Sequence, residues 1–177
     1  MQNAWDYSAL RTGVAVAVGP LLVVPTSILA ARLLPRVAPG RLIAAGSLLF
    51  GLAATWQALV ISAEPSYATT FLPGWLLGGV GVGLAMPNLV AAATAGLPPE
   101  QASTGSGLAS MARQVGMALG VSILVGILGS GAIGLEDVRA GWEFIAIASV
   151  VAAAAAVAIE GARSPVRTPV PAPAVPE

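Results

Sequence analysis

One charged residue, Arg113, interrupts an otherwise small and apolar stretch, STGSGLASMARQVGMALGVSILVGILGSG, at residues 103–131. An isolated positive charge in hydrocarbon costs roughly a few kcal/mol or more, so it needs a partner, a water-filled cavity or an escape to the surface. Ser106, Ser110 and Met117 are spaced so that they share a helix face with Arg113. This partly polar face predicts that Arg113 points into the protein or its cavity. The alternative is a helix that begins later, from which the long side chain reaches the membrane surface.

The depth of Arg113 suggests a role in transport. If its helix starts near Ser103, the residue lies about 15 Å along it, close to the middle of a bilayer. There it would attract an anionic substrate group or pair with a carboxylate. No acidic residue lies near the middle of an apolar segment, so we expect the partner carboxylate and the proton-binding acid from outside this chain. The candidates for a substrate pathway are the polar residues within apolar segments, Arg113, Gln114, Asn88 and Gln57. Asn88 could equally bond to a neighbouring helix.

The composition indicates an integral membrane protein. The chain has 177 residues, of which 56% are hydrophobic and only 9% charged, whereas soluble domains carry roughly 25% charged residues. It contains no cysteine and no histidine, and its basic residues are all arginines. We therefore expect no disulfide, no histidine or thiolate metal site, no cofactor and no nucleic-acid partner. Because no acid–base pair lies within the apolar segments, the sequence also argues against an enzyme.

Five segments are long and apolar enough to span a bilayer, which takes about 20 residues in a helix. They cover approximately residues 12–31, 42–62, 70–95, 104–130 and 142–159. Helices satisfy their own backbone hydrogen bonds in lipid, and the segments lack the alternation of barrel strands. The sequence therefore predicts an all-α membrane protein with a helical bundle at residues 1–161. A proline-rich tail, predicted to be disordered, follows at 162–177.

Arginine is unevenly distributed between the two sides of the predicted bundle. One side holds the arginines of the first connecting loop and of the tail, Arg32, Arg36, Arg41, Arg163 and Arg167. The other side combines two arginines with acidic residues, namely Arg11, Arg139, Asp6, Glu64, Glu136 and Asp137. Arginine and lysine are enriched on the cytoplasmic side of membrane proteins. We therefore expect a multi-pass protein of the cell membrane with a cytoplasmic C-terminus and an external N-terminus.

Glycine and proline are frequent inside the predicted spans. Glycines recur four residues apart in the third and fourth spans, as the helix-packing candidates Gly74, Gly78, Gly79, Gly83, Gly116 and Gly120. This spacing is typical of close helix packing in lipid, whereas a glycine-rich nucleotide loop would need a preceding strand. Three prolines also lie within spans, Pro20, Pro25 and Pro87. We expect them to bend their helices and to free backbone carbonyls for other partners.

Four stretches resemble the C-terminal part of a major facilitator superfamily transporter, and more narrowly the fourteen-span drug:proton antiporters of the EmrB/QacA type. They are WDYSALRTGVAVAVGPL, AARLLPRVAPGRL, LPGWLLGGVGVGLAMPNL and LPPEQASTGSGLASMARQVGMALGVSILV. The second is similar to the cytoplasmic loop motif G-x-L-A-D-R-x-G-x-R, but Pro35 replaces its acidic residue and Ala31 and Ala38 replace its glycines. The basic part of the motif is kept by Arg36 and Arg41. The last stretch is the most specific, because its glycines, its Arg-Gln pair and its loop match together.

The resemblance implies a function as well as a fold. Such transporters have two six-helix halves that rock around a midplane site, and five spans correspond to most of the second half. We therefore expect a partial multidrug-type efflux transporter that exports small molecules in exchange for protons and needs the missing N-terminal helices. Its expected partners are the lipid bilayer, a small-molecule substrate, protons and those helices. The alternative is a membrane-inserted remnant that transports nothing.

Overall fold

Five long helices form most of the chain that the computed structural model describes, which comprises residues 8–61, 67–95, 97–129 and 134–162. They are α1 (Ala9–Leu33), α2 (Pro39–Val60), α3 (Leu72–Thr94), α4 (Ala102–Leu128) and α5 (Leu135–Ala162). A π-helical segment, Tyr67–Phe71, leads into α3, and a 3₁₀ turn, Pro99–Gln101, precedes α4. Five helices are long and apolar enough to cross a membrane. The predicted all-α fold with five spans is therefore confirmed.

The helices extend beyond the apolar segments that predicted them, most clearly at the start of α5. This helix begins at Leu135 and not near Trp142, so Glu136 and Asp137 lie in its first turn instead of in a loop. Asp137 Oδ2 accepts a hydrogen bond from the backbone N–H of Gly134 at 2.8 Å. Carboxylates near a helix N-terminus are stabilised by its free N–H groups and by the positive end of its dipole. The charged first turn therefore continues the helix past its apolar part.

The loop between α1 and α2 contains only residues 34–38 and is shorter than expected. Arg32 lies in the last turn of α1 and Arg41 in the first turn of α2, so Arg36 alone remains in the loop. All three arginines are exposed. We call this end of the bundle, where α1 ends and α2 begins, the arginine end, and the opposite end the far end. Several residues of the topology prediction lie outside the described residues, namely Asp6, Glu64, Arg163, Arg167 and the tail at 163–177.

The helices pack side by side in the order α1, α3, α2 and α5, and α4 bridges α3 and α5. Near the arginine end, Gly105 of α4 lies against Leu97 and the backbone of Ala93. Near the far end, Leu124 of α4 lies against Gly141 of α5. No residue of α4 is buried, whereas α2 has buried residues along its whole length. The helix α4 is therefore the least enclosed of the five.

The glycines of α3 fall on two faces, and each face packs on a different helix. Gly74 and Gly78 face α2, and Gly79 and Gly83 face α1. A Cβ atom at Gly79 would lie 2.6 Å from the carbonyl oxygen of Gly19, so a larger residue would push the two helices apart. Small residues allow such close approach in membranes, where packing replaces the hydrophobic effect as the driving force.

Another pair of glycines, which the spacing within one helix does not reveal, joins α3 to α2. A Cβ atom at Gly81 would lie 2.6 Å from the carbonyl oxygen of Gly46 and 2.8 Å from the backbone nitrogen of Phe50. A Cβ atom at Gly46 would lie equally close, at 2.6 Å, to the carbonyl oxygen of Gly81. The backbones of the two helices therefore touch at this crossing.

The glycines of α4 behave differently from those of α3. A Cβ atom at Gly116 or Gly120 would have no atom within 4 Å among the described residues, apart from its own helix backbone and chain neighbours. The packing predicted for these two glycines is therefore not found within this part of the chain. The reason is that their side of α4 faces neither α3 nor α5, so the regular spacing has no partner helix here.

Proline frees backbone carbonyls that side chains of other helices then approach. Pro20 lacks the N–H that would bond the carbonyl of Val16, and Trp75 Nε1 of α3 donates to this oxygen at 2.8 Å. On α3, the carbonyl left free by Pro87 lies 3.3 Å from Ser27 Oγ of α1, which also bonds within its own helix. Both freed carbonyls therefore strengthen the contact between α1 and α3.

Charged side chains of α5 hold both ends of α2. At the arginine end, Glu160 Oε2 accepts a hydrogen bond from the backbone N–H of Gly40 at 3.0 Å. At the far end, Arg139 Nε donates to the carbonyl of Ala58 at 3.1 Å, and its Nη1 lies 3.1 Å from Glu136 Oε1. An anion at a helix N-terminus and a cation at its C-terminus both complement the helix dipole. These contacts fix the register of α5 against α2.

Candidate functional site

A groove of about 780 Å³ lies between α2, α3, α4 and α5 in the half of the bundle near the arginine end. Pockets of roughly 300–1,000 Å³ are typical of small-molecule sites. From α2 and α3 the walls contain Gly40, Ile43, Ser47, Met86, Leu89, Val90, Ala92 and Ala93. From α4 and α5 they contain Ser106, Ala109, Ser110, Ala112, Arg113, Ala152, Ala155, Ala156, Ile159 and Glu160. The walls are mostly small and apolar, with opposite charges on α4 and α5.

Arg113 lies on the α4 wall of this groove. The helix starts at Ala102, so Arg113 is about three turns, or roughly 16 Å, from its beginning. Ser106 and Ser110, which were expected to share its helix face, line the same groove, but Met117 does not. The Arg113 side chain is exposed and forms no ion pair with the described residues. Its guanidinium donors are therefore free to bind a group that enters the groove.

The other three polar candidates lie outside the groove. Gln114 follows Arg113 on α4 and is exposed. Gln57 is buried and its Nε2 donates to the carbonyl of Phe71 at 3.1 Å, which ties α2 to the entrance of α3. A buried amide with such a partner stabilises helix packing. The structure therefore places Gln57 in a contact between helices, outside the groove.

Asn88 is fully buried within α3. Its Nδ2 donates to the carbonyl of Leu84, one turn earlier in the same helix, at 2.6 Å. Its Oδ1 is also buried and has no hydrogen-bond partner among the described residues. Asn88 therefore bonds its own helix; it does not line this groove, and it makes no hydrogen bond to a neighbouring helix among the described residues.

Glu160 is the groove residue that sequence reasoning missed. It was placed just beyond the fifth span, which was taken to end at Ile159, but α5 continues to Ala162 and carries Glu160 into the groove wall. A Cβ atom at Gly40 would lie 2.8 Å from Glu160 Cβ and 2.9 Å from the carbonyl of Ala156. Glycine at the start of α2 is thus required for this contact. The feature of the sequence that could have indicated this close contact is the Pro-Gly pair at residues 39 and 40, on the same side of the predicted bundle.

Three further arginines lie at the same end of the bundle as the groove. Arg32, Arg36 and Arg41 are exposed and do not line the groove. Arg41 directly follows Gly40, whose N–H is bonded to Glu160. Residues of the loop motif are therefore adjacent in sequence to the groove wall without belonging to it. In the described part of the chain, no cluster of acidic, histidine or cysteine residues is suited to bind a metal ion.

Comparison with known proteins identifies relatives that carry drug-resistance and export names. A puromycin resistance protein of Streptomyces alboniger is 41% identical over 129 residues, which cover 70% of this chain and 25% of the relative. A cephamycin export protein of Amycolatopsis lactamdurans is 32% identical over 135 residues, covering 76% of this chain and 28% of the relative. A multidrug resistance protein B homologue of Mycobacterium tuberculosis is 26% identical over 127 residues, covering 70% and 23%.

The chain thus spans about a quarter of the length of these curated relatives. No solved structure matches it. The Major Facilitator Superfamily matches residues 1–176, which is nearly the whole sequence. The match also agrees with the five membrane-spanning helices and with the glycine-rich packing of α3. This chain is therefore a multi-pass membrane protein that belongs to the Major Facilitator Superfamily.

Proposed function

We propose that this chain is part of an efflux transporter that exports small molecules across the cytoplasmic membrane in exchange for protons. Relatives named for puromycin resistance, cephamycin export and multidrug resistance support export as the function. Membership of the superfamily supports a transport mechanism and argues against an enzyme. Substrates of this class are small, partly apolar molecules, and the groove has the size and lining to take one.

The observation that carries this proposal is the groove with Arg113 on its wall. Placing a guanidinium in a mostly apolar, membrane-embedded groove costs free energy. Its presence there therefore indicates a functional role. It lies on α4, the helix with no buried residue. We propose that helices of an N-terminal half cover the outer face of α4, including Gly116 and Gly120, and complete the pathway. Packing in membranes favours such small-residue faces as contact surfaces between helices.

Proton coupling requires a titratable group, and we propose that the partner helices supply it. Within the described residues, the acidic groups of the helices lie toward the helix ends: Glu136, Asp137 and Glu143 near the start of α5, and Glu160 near its end. Membrane-embedded acids at central depth are the usual proton carriers in transporters. The chain alone therefore lacks a suitable central acid in its described part.

The proton-coupling proposal predicts that export stops when the proton gradient is removed. Proteoliposomes containing this chain together with a set of N-terminal helices should export a fluorescent dye from the lumen against its gradient. The driving force is an imposed pH difference, with the bath more acidic than the lumen. A protonophore should abolish the export, while replacing sodium in the buffer should have no effect. Export that persists with the protonophore present would contradict proton coupling.

We also propose that the arginine end faces the cytoplasm. The exposed Arg32, Arg36 and Arg41 gather at this end, and the positive-inside rule then places the far end outside. A reporter inserted at Gly131, between α4 and α5, should be active only as an external marker. A second reporter fused after Val170 should be active only as a cytoplasmic marker. Equal orientation of the two reporters would contradict this topology, because they are separated by one helix.

A further inference from the structure

We propose that the groove binds an elongated amphipathic zwitterion, with its ammonium group at Glu160 and its carboxylate at Arg113. This inference rests on the proposed transport function and adds the class of substrate. Both charged residues line the same groove, on the adjacent walls formed by α4 and α5. Glu160 belongs to α5 and Arg113 to α4, and no ion pair joins them in the described structure.

The backbones of the two charged residues lie at different depths of the bundle. Glu160 is near the end of α5, about 3 Å before its last residue, whereas Arg113 is roughly 16 Å from the start of α4. Both of these helix termini lie at the arginine end. Their backbone positions therefore differ in depth by about 13 Å. A molecule with opposite charges at its two ends matches this separation better than a compact one.

Each charged group retains capacity to bind a ligand. Glu160 uses Oε2 to accept the N–H of Gly40 at 3.0 Å. A carboxylate has roughly four acceptor positions, so an ammonium group can still bind to it. Arg113 has a planar fork of donors, which binds a carboxylate through two parallel hydrogen bonds. The hydrogen bond to α2 also holds Glu160 in place, so its side chain loses little conformational freedom when a ligand binds.

Apart from the hydroxyl groups of Ser106 and Ser110, the wall between the charges is apolar. Ile43 of α2, Met86 and Val90 of α3, and Ala109 and Ala152 of the other two helices all contact the groove. They suit a hydrocarbon body between the charged ends. The middle of α4 is not enclosed, since no residue of this helix is buried. The groove can therefore admit a molecule without breaking a packed interface.

Opposite charges on the two walls also select against ligands that carry only one charge. A simple organic cation would be attracted to the Glu160 carboxylate but would place a positive charge in the same groove as Arg113. A simple anion would be attracted to the Arg113 guanidinium but repelled by the Glu160 carboxylate. Like charges placed together in an apolar site disfavour binding, so we expect the zwitterion to bind more tightly than either.

The test uses this chain in phosphatidylcholine nanodiscs and three probes with the same hydrocarbon body. The probes are radiolabelled 12-aminododecanoic acid, dodecylamine and dodecanoic acid, each measured by equilibrium dialysis against empty nanodiscs. Glu160→Gln and Arg113→Gln remove the two charges. Glu143→Gln and Arg36→Gln make the same chemical changes at exposed positions outside the groove.

We expect each groove variant to bind the zwitterion about tenfold more weakly or worse, as for the loss of one charged hydrogen-bond partner. Glu160→Gln should at the same time bind dodecanoic acid more tightly, and Arg113→Gln should bind dodecylamine more tightly. Misfolding would weaken the binding of all three probes together, so this crossed pattern of affinities identifies the charges as the cause. The control variants should match the wild type.

Equal binding of the three probes by the wild type, or equal behaviour of groove and control variants, would overturn the inference. Weaker binding of all three probes by both groove variants would also overturn it, because it would assign these residues a structural role only. The measurement involves no transport, so its failure is distinct from failure of the export proposal. That proposal is tested by dye efflux from the assembled transporter.

Discussion

Gly81→Ala should destabilise the bundle, whereas Gly116→Ala should leave it unchanged or slightly more stable. Both changes add one methyl group to a glycine inside an α-helix. At Gly81 the added carbon would lie 2.6 Å from the carbonyl oxygen of Gly46, on the backbone of α2, which cannot rotate away. Overpacking of this kind costs about 1–3 kcal/mol, occasionally more. At Gly116 the added carbon would have no atom of another described element within 4 Å, and alanine gains roughly 0.5–1 kcal/mol of helix stability over glycine.

The measurement is the unfolding midpoint of this chain in mixed micelles, followed by far-UV circular dichroism as the fraction of SDS increases. Gly46→Ala should resemble Gly81→Ala, because its Cβ atom would meet the same crossing from the other side. The double variant should cost less than the sum of the two single changes, since the first one already separates the helices. Equal midpoints for Gly81→Ala and Gly116→Ala would show that α2 and α3 do not touch at this crossing.

Arg113→Ala should lower the export rate of the assembled transporter about tenfold or more, at equal protein level in the membrane. The expected size follows from the loss of a charged hydrogen-bond donor toward substrate, worth about 1.5–3 kcal/mol. Insertion should be nearly normal, because Arg113 is exposed and has no ion pair among the described residues. Gln114→Ala is the matched control, since the neighbouring residue is exposed and lies outside the groove.

Arg113→Lys separates attraction of charge from recognition of a carboxylate. Lysine supplies a point charge, whereas arginine offers a planar fork with two parallel donors. If the substrate carboxylate is held by both donors, lysine should restore only part of the export lost in the alanine variant. Wild-type export by Arg113→Ala would refute a role in the pathway and would leave Arg113 as an arginine that reaches the membrane surface.

The sequence was sufficient to predict the helices but not all of their ends. Length and apolar character identify a membrane span, because the bilayer sets the minimum length of a helix. A charged first turn such as that of Glu136 and Asp137 is invisible to that criterion, although Asp137 supports the start of α5 by accepting the N–H of Gly134. The same limitation hid Glu160, which follows the last apolar residue of the span but is still helical.

Contacts between helices were predictable only in part. Glycines four residues apart in α3 indicated close packing, and four of them face α1 or α2. The same spacing in α4 predicted packing that the described part of the chain does not show at Gly116, because spacing describes one helix and not its partner. For the same reason the pair of Gly46 and Gly81, which lie on different helices, could not be found from periodicity. Pro87 and Pro20 did predict freed carbonyls, but not the side chains that approach them.

We propose that this chain exports molecules only together with an N-terminal half. The most direct test measures the efflux of ethidium and, separately, of radiolabelled 12-aminododecanoic acid from cells of an efflux-deficient strain. The cells express this chain, the N-terminal helices of the Streptomyces alboniger relative, or both. Membrane levels of each polypeptide are matched by immunoblotting. We expect energised efflux from the cells that contain both parts and none from cells that contain either part alone. Efflux by this chain alone, or no efflux when both parts are present in the membrane, would contradict the claim.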